Sequence, residues 1–218
     1  MKGKEKAGRE VQTAPLQTEE VEPAFVFIGE ALALDLINTE IMERGKPRDF
    51  LVSPDDVARW WKTATHYYPT MPRIKGEIPV ESLQIEPALF DAIKSLRSTL
   101  RRLFMGLIEQ GIADRDALAE LNEVLASGSQ ALEVDERGIL VQVYQAKDPE
   151  LNGILLPVAL SALSLLTEKE RGRLHKCSNN RCIALFYDTT RSATRHWCSP
   201  GCMNRARSIQ HYQRTKTA

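Results

Sequence analysis

The sequence predicts an α+β chain: a mainly helical body with a few short strands and one hairpin, followed by a small tail organised by cysteines. Three observations carry this. Apolar residues recur at helical offsets through long stretches of residues 23–168. Strand-like runs are short and bounded by Gly, Pro or Asp, and all four cysteines fall within the last 42 residues. With 218 residues and 43% apolar content, the chain is long enough for one full domain and an appendage.

Residues 1–22 are charged, polar and without hydrophobic period, which predicts a disordered lead-in. Phe25 to Ile28 is a β-prone run ended by Gly29, and residues 31–39 place Leu32, Leu36 and Ile37 on one helical face with Asp35 and Asn38 beside it. Residues 43–53 read as a loop with a brief extended stretch at Phe50 to Val52. Ser53-Pro54-Asp55-Asp56 then starts a helix, since Ser caps, Pro suits the first helical position and acids favour the positive helix end. That helix carries Val57, Trp60, Trp61 and Ala64, with Tyr67 and Tyr68 following before a Pro69–Pro79 loop.

The strongest helical signal runs from Pro87 to Gln110, where Leu89, Phe90, Ile93, Leu96, Leu100, Leu103, Phe104 and Leu107 form one stripe that Gly111 ends. Asp114 caps a second helix carrying Ala117, Leu118, Leu121, Val124 and Leu125. Ala131–Val134 and Ile139–Tyr144 flank Asp135-Glu136-Arg137-Gly138 as a hairpin. Asp148-Pro149 opens a helix through Leu165 or Leu166, apolar enough to sit centrally, and polar residues from Thr167 to Arg173 mark the junction with the tail. The domain boundaries follow: a lead-in at 1–22, a body at 23–168 and a tail at 169–218.

Formal net charge is +0, with 29 basic and 29 acidic residues, but the distribution is uneven. From Lys169 onward there are eleven Lys/Arg against two acids, so the tail carries +9 and the rest −9. A basic end on an acidic body is what a polyanion-binding tail produces, because Lys and Arg neutralise phosphates. No run approaches eighteen consecutive apolar residues and no signal-peptide pattern is visible, so the expectation is a cytoplasmic protein without membrane spans.

The cysteines form two close pairs, Cys177-x4-Cys182 and Cys198-x3-Cys202, fifteen residues apart. Two disulfides and an iron–sulfur cluster are the competing readings. In a reducing compartment such pairs are more often metal ligands, and four thiolates supplied two by two suit tetrahedral Zn²⁺. Cys177–Cys182 reads as a knuckle, Ile183–Tyr187 as strand, Asp188–Thr194 as a turn-rich loop, and Cys202 to about Arg214 as a helix: a treble-clef-like finger. Phe186, Tyr187 and Trp197 are expected to form its small core. His175 and His196 flank the pairs, but four thiolates already fill the site.

On the last helix Cys202, Ala206 and Ile209 share a face, while Arg207, His211 and Arg214 share roughly the opposite one. Arg191, Arg195 and Arg205 extend the basic surface, and Asn204 is placed to reach a base edge. These seven residues are the candidate nucleic-acid contacts, with the alternative that some arginines brace the metal loops or cap carbonyls.

Cys-x4-Cys, the stretch Phe186 to Arg191, Arg195 to Ser199 and the ending Cys202-Met203-Asn204-Arg205 resemble the CGNR zinc finger. Phe27 to Thr39 is similar to the start of the ABATE domain, which precedes that finger in a bacterial family of stress-induced transcription regulators. The resemblance implies zinc, DNA as partner and ligand sensing by the body. Met203 stands where the motif has Gly, and the last cysteine pair is spaced by three residues where many relatives have four.

The body shows no phosphate-cradling Gly loop, HExxH or nucleophile elbow, so no enzyme is expected. Asp35, Asn38, Arg44, Trp60, Trp61 and His66 are the candidate ligand pocket, drawn from an aromatic concentration with polar neighbours. The leading function is a DNA-binding transcription regulator that senses a small molecule. A zinc-stabilised protein- or RNA-interaction module and, behind it, a metal-dependent nuclease are the alternatives. A single finger covers little DNA, so a homodimer would aid specificity.

Overall fold

The computed structural model describes residues 25–75, 79 and 82–216, so the lead-in expected at 1–22 lies outside the described residues. The body is built around α1 (Leu32–Ile37), six residues long and buried at every position. Around it pack α3 (Pro87–Gln110), α5 (Pro149–Thr167), and through these α2 (Pro54–Tyr67) and α4 (Arg115–Leu125). Leu34, Leu36, Trp60, Trp61, Leu100, Leu103, Phe104 and Ala159 form the centre of one continuous core. Fully burying a large apolar side chain contributes about 1.5–3 kcal/mol, so the short α1 is held by its neighbours and not by its own helix propensity.

The helix boundaries follow the local chemistry. Ser53 and Asp56 form a reciprocal capping box at the start of α2, with Pro54 in the first turn. Asp114 accepts from Ala117 N to start α4, and Asp148 accepts from the backbone of Glu150 and Leu151 to start α5. Gly111 ends α3 at φ 71°, a left-handed conformation that favours glycine. By length and composition α5 is apolar enough to cross a membrane. Its apolar surface is instead packed against α1, α3, α4 and the adjoining sheet.

That sheet has strand order β3 (Ile74–Lys75), β5 (Leu140–Ala146), β4 (Gly128–Val134), with β3 parallel and β4 antiparallel to β5. The expected hairpin is present and extends further, to Gly128 and Ala146. Gly128 lies so close to α5 that an added Cβ would sit 2.3 Å from Leu156 Cδ2, which leaves no room for a side chain. The two-residue β3 is not visible in the sequence, because it carries no period to detect.

Two further departures have physical reasons. The first part of the segment read as a loop, residues 43–49, belongs to a hairpin, β1 (Glu40–Glu43) with β2 (Lys46–Asp49), turning at Arg44 and Gly45, while Phe50 to Val52 is not a strand. The hairpin has no alternating apolar pattern, since Arg97 from α3 holds it. The Arg97 guanidinium, 3% exposed, donates to both Asp49 carboxylate oxygens at 2.6 and 2.7 Å and to Thr39 Oγ1 at 2.8 Å. These hydrogen bonds hold the Asp49 carboxyl below the usual range even though burial, the largest influence, pushes it up. Conversely, Phe25 to Ile28 is not a strand. The N–H groups of Ile28 and Gly29 donate to Asp35 Oδ1 at 2.9 and 2.7 Å instead of to a neighbouring strand.

Asp35 also accepts from the Tyr68 hydroxyl. Burial raises its pKa from 3.8 to about 6, against the opposing pull of these hydrogen bonds. The native state therefore keeps the Asp35 proton to higher pH than the unfolded chain, and the stability this gives is lost as pH rises from about 4 through 6. At roughly 1.4 kcal/mol per pKa unit the change is on the order of 3 kcal/mol. Urea titrations of Asp35→Asn across this window are expected to show a flatter stability profile than the parent chain. An unchanged slope would mean Asp35 titrates normally.

Candidate metal centre

The tail starts with a 3-10 turn at Arg171–Arg173 and a short antiparallel pair, β6 (Leu174–Lys176) with β7 (Leu185–Tyr187). Cys177 to Cys182 is the knuckle joining them, closed by Cys177 N donating to Ala184 O at 2.9 Å and Cys182 N to Asn179 O at 2.9 Å. Asn179 is buried and ties the knuckle to the next element, its Nδ2 donating to Cys202 O at 3.2 Å. Helix α6 (Pro200–Lys216) begins just after Cys198, with Ser199 Oγ accepting from Cys202 N at 3.3 Å and Ser199 O from Met203 N at 3.1 Å. A Ser-Pro start thus serves here as it does at α2.

This folding brings all four sulfurs within 4.8 Å of one another. Cys198 Sγ lies 3.7 Å from Cys182 Sγ and 3.5 Å from Cys202 Sγ. Four sulfurs at about 2.3 Å from a central ion would form a tetrahedron with edges of roughly 3.8 Å. The cysteine cluster fits that geometry. The three-residue spacing of Cys198 and Cys202 is accommodated because the capped first turn of α6 closes the distance, and Met203 sits in regular helix.

Without a cation the clustered sulfurs compete for one negative charge. Thiol hydrogen bonds from Cys182 and Cys198 hold Cys177 far below the usual thiol range. Donating those hydrogen bonds raises Cys182 and Cys198. So close a set of sulfurs cannot share several negative charges unaided, whereas a divalent cation would neutralise them. Cys198 N at 3.5 Å from Cys177 Sγ and Arg205 Nη2 at 3.3 Å from Cys202 Sγ supply outer donors to the sulfurs.

Between the cysteine pairs the loop is organised by buried Asp188. Its carboxylate accepts from Thr190 N at 2.8 Å, Thr190 Oγ1 at 2.6 Å and Arg195 N at 2.8 Å. Burial alone would raise its pKa, but these hydrogen bonds bring it down to about 2. Arg173 Nη1 completes the loop by donating to Asp188 O at 3.2 Å and Thr190 O at 2.8 Å. Neither residue was singled out from the sequence; Asp188-Thr-Thr is a turn-forming run that gave a usable signal.

The tail is not a free appendage. Asn38 Nδ2 donates to Leu185 O at 2.8 Å and its Oδ1 accepts from Leu185 N at 3.0 Å. Tyr187 N donates to Gly29 O at 3.0 Å. The outer edge of β7 is therefore paired by the body, and the Leu185 side chain is buried in the body's core. Arg101 donates to Ile37 O at 2.7 Å and Ile183 O at 3.2 Å, and Lys176 pairs with Glu109 at 2.9 Å.

The expected nucleic-acid residues divide. Arg195 is committed internally: its guanidinium lies 4.6 Å over the Phe186 ring, donates to Trp197 O at 3.0 Å and to Cys198 O, and approaches Glu30 at 3.4 Å. Arg205 braces the metal loop through Gly201 O at 3.3 Å and Cys202 Sγ. Arg191, Asn204 and Arg207 are exposed, without a side-chain hydrogen bond or ion pair among the described residues. His211 and Arg214 belong to α6, but their side chains lie outside those described. Phe186 is the buried centre of the tail's small cluster, with Trp197 packed beside it.

The expected ligand pocket does not form. Trp60 and Trp61 are each 1% exposed and fill the core. Asp35 and Asn38 are buried and committed to the hydrogen bonds above, while Arg44 and His66 are exposed at a hairpin turn and near the end of α2. The aromatic concentration reflects core packing at helical spacing, not a concave surface.

Elemental analysis of purified protein is expected to give one divalent metal ion per chain, falling to well under half in Cys198→Ser. The same variant is expected to lose order in the tail while the circular dichroism of α1 to α5 is largely kept, because the body's core holds these helices independently of the sulfurs.

Residues 30–169 match the family profile ABATE, described as a putative stress-induced transcription regulator, and residues 173–215 match the CGNR zinc finger. No curated protein matches the chain. The matched ABATE segment covers α1 to α5 and the finger segment covers the knuckle, the four cysteines and nearly all of α6. The chain belongs to the ABATE family, with a CGNR zinc finger at the C-terminal side of the ABATE domain.

Proposed function

We propose that this protein is a DNA-binding transcription regulator whose finger is closed by a structural Zn²⁺ ion and meets the DNA backbone through α6 and the loop before it. The observation that carries this reading is a set of exposed guanidinium groups with no hydrogen bond or ion pair among the described residues, including Arg191 in the loop and Arg207 on α6, with Asn204 one helical turn from Arg207, in a tail of +9 charge. Basic side chains already engaged inside a fold cannot neutralise phosphates; these remain available. The family description supports the regulatory role.

Zinc suits the site because four thiolates in a tetrahedron satisfy its preferred coordination and leave no open position for a water. In this reading the metal holds shape and does no chemistry, which disfavours the nuclease alternative. The acidic body repels phosphate and so orients the basic end toward a polyanion.

Fluorescence anisotropy with a random-sequence duplex is the test. Zinc-loaded protein is expected to bind at low salt, with affinity falling as salt rises. Arg191→Ala and Arg207→Ala should each weaken binding at every sequence and reduce the salt slope by about one. Arg195→Ala should chiefly lower stability, since its contacts are internal. No binding at low salt with zinc present would refute the reading.

A further inference from the structure

A cavity of about 410 Å³ opens where the C-terminal ends of α3 and α5 meet the entry to the finger. Its volume lies in the range of small-molecule sites, which favour boundaries between structural units. Leu107, Leu165 and Leu166 line it from the body; Leu174, Arg171 and His175 line it from the finger. Most of the lining side chains are thus aliphatic, with Arg171 the cationic group on the finger side.

His175 packs against the Phe186 ring with centroids 5.7 Å apart, and its buried Nε2 has no hydrogen-bond partner among the described residues and almost no accessible surface, so it is closed off from the cavity. Arg171 is exposed, and no ion pair engages it among the described residues. The neighbouring acids are occupied, Glu170 with Arg173 at 2.9 Å and Glu168 with the Ser164 hydroxyl at 2.7 Å. The carbonyl ends of α3 and α5 carry partial negative charge, which disfavours a bare inorganic anion deep in the cavity. A carboxylate held at the rim by the planar Arg171 fork, with an apolar tail inside, meets both constraints.

We infer that this seam cavity binds a small amphipathic carboxylate, its tail among Leu107, Leu165, Leu166 and Leu174 and its carboxylate on Arg171. The ligand contacts body and finger together, so it favours the arrangement in which β7 is paired with Asn38 and Gly29 over any in which the finger has moved. The binding site stands without reference to DNA; its regulatory consequence rests on the DNA-binding reading above.

Calorimetry on the zinc-loaded full chain tests the site, with straight-chain carboxylates of six to ten carbons as probes and octan-1-ol as the uncharged control. Octanoate is expected to bind about tenfold more tightly than octan-1-ol. Arg171→Ala should remove that difference while leaving octan-1-ol binding unchanged, and Leu166→Trp, which fills the cavity, should abolish both. Should Leu166→Trp fail to fold, Gly172→Leu, at an exposed lining position, serves as the second blocking variant. Absence of heat from every carboxylate at about 1 mM, a range where small ligands of this size normally register, would overturn the site. Equal binding of octanoate and octan-1-ol, insensitive to Arg171, would overturn the assigned carboxylate contact. DNA affinity is measured in parallel without probe, so failure of DNA binding is distinguished from failure of the cavity. Probe binding that leaves the DNA affinity of a DNA-binding protein unchanged would overturn the coupling.

Discussion

The pairing of the Asn38 side-chain amide with the Leu185 peptide is the contact on which the arrangement of this molecule depends. A β-strand edge buried without partners would leave N–H and C=O groups unsatisfied, each costing about 1–3 kcal/mol. Asn38 supplies one donor and one acceptor in the geometry of a neighbouring strand, and Gly29 O meets the next free N–H on β7, that of Tyr187. The finger's second strand is thereby completed by the body. Leu185 then enters the body's core, so the family boundary between residues 169 and 173 is not a boundary in packing.

The same few residues connect the acid at the centre of the body to this edge. Asp35 fixes the backbone of Ile28 and Gly29, and Gly29 O receives Tyr187 N. Asp35 lies on α1 and Asn38, three residues on, caps its C-terminal end; one bonds the chain that precedes the helix and the other the finger. A six-residue helix wholly enclosed by α3 and α5 makes a rigid mount for both. Had these polar residues lined a ligand pocket, the finger would have lost its anchor.

Positive charge in the tail serves two purposes that composition cannot separate. Arg173 and Arg195 organise the loop between the cysteine pairs, and Arg205 leans on a ligand sulfur. Arg191 and Arg207, by contrast, are exposed and make no hydrogen bond or ion pair among the described residues. The division follows from where backbone carbonyls are left open: a segment of fifteen residues held at both ends by sulfurs has many, and nearby guanidinium groups satisfy them. Net charge therefore overstates the surface available to phosphate.

The elements governed by local chemistry were legible in the amino-acid order. The caps at Ser53, Asp114 and Asp148, the stop at Gly111, the stripe of α3 and the spacing of the cysteines depend on neighbours within a few residues, and each is where the sequence places it. Only tertiary structure decided what depends on distant partners. The β1–β2 hairpin rests on Arg97, nearly fifty residues from Asp49; the irregular 25–28 segment rests on Asp35 outcompeting a strand. Asn38 meets Leu185 across 147 positions. A polar side chain reads the same in sequence whether it faces a ligand, a solvent shell or a bare strand edge, and only folding selects which of these it satisfies.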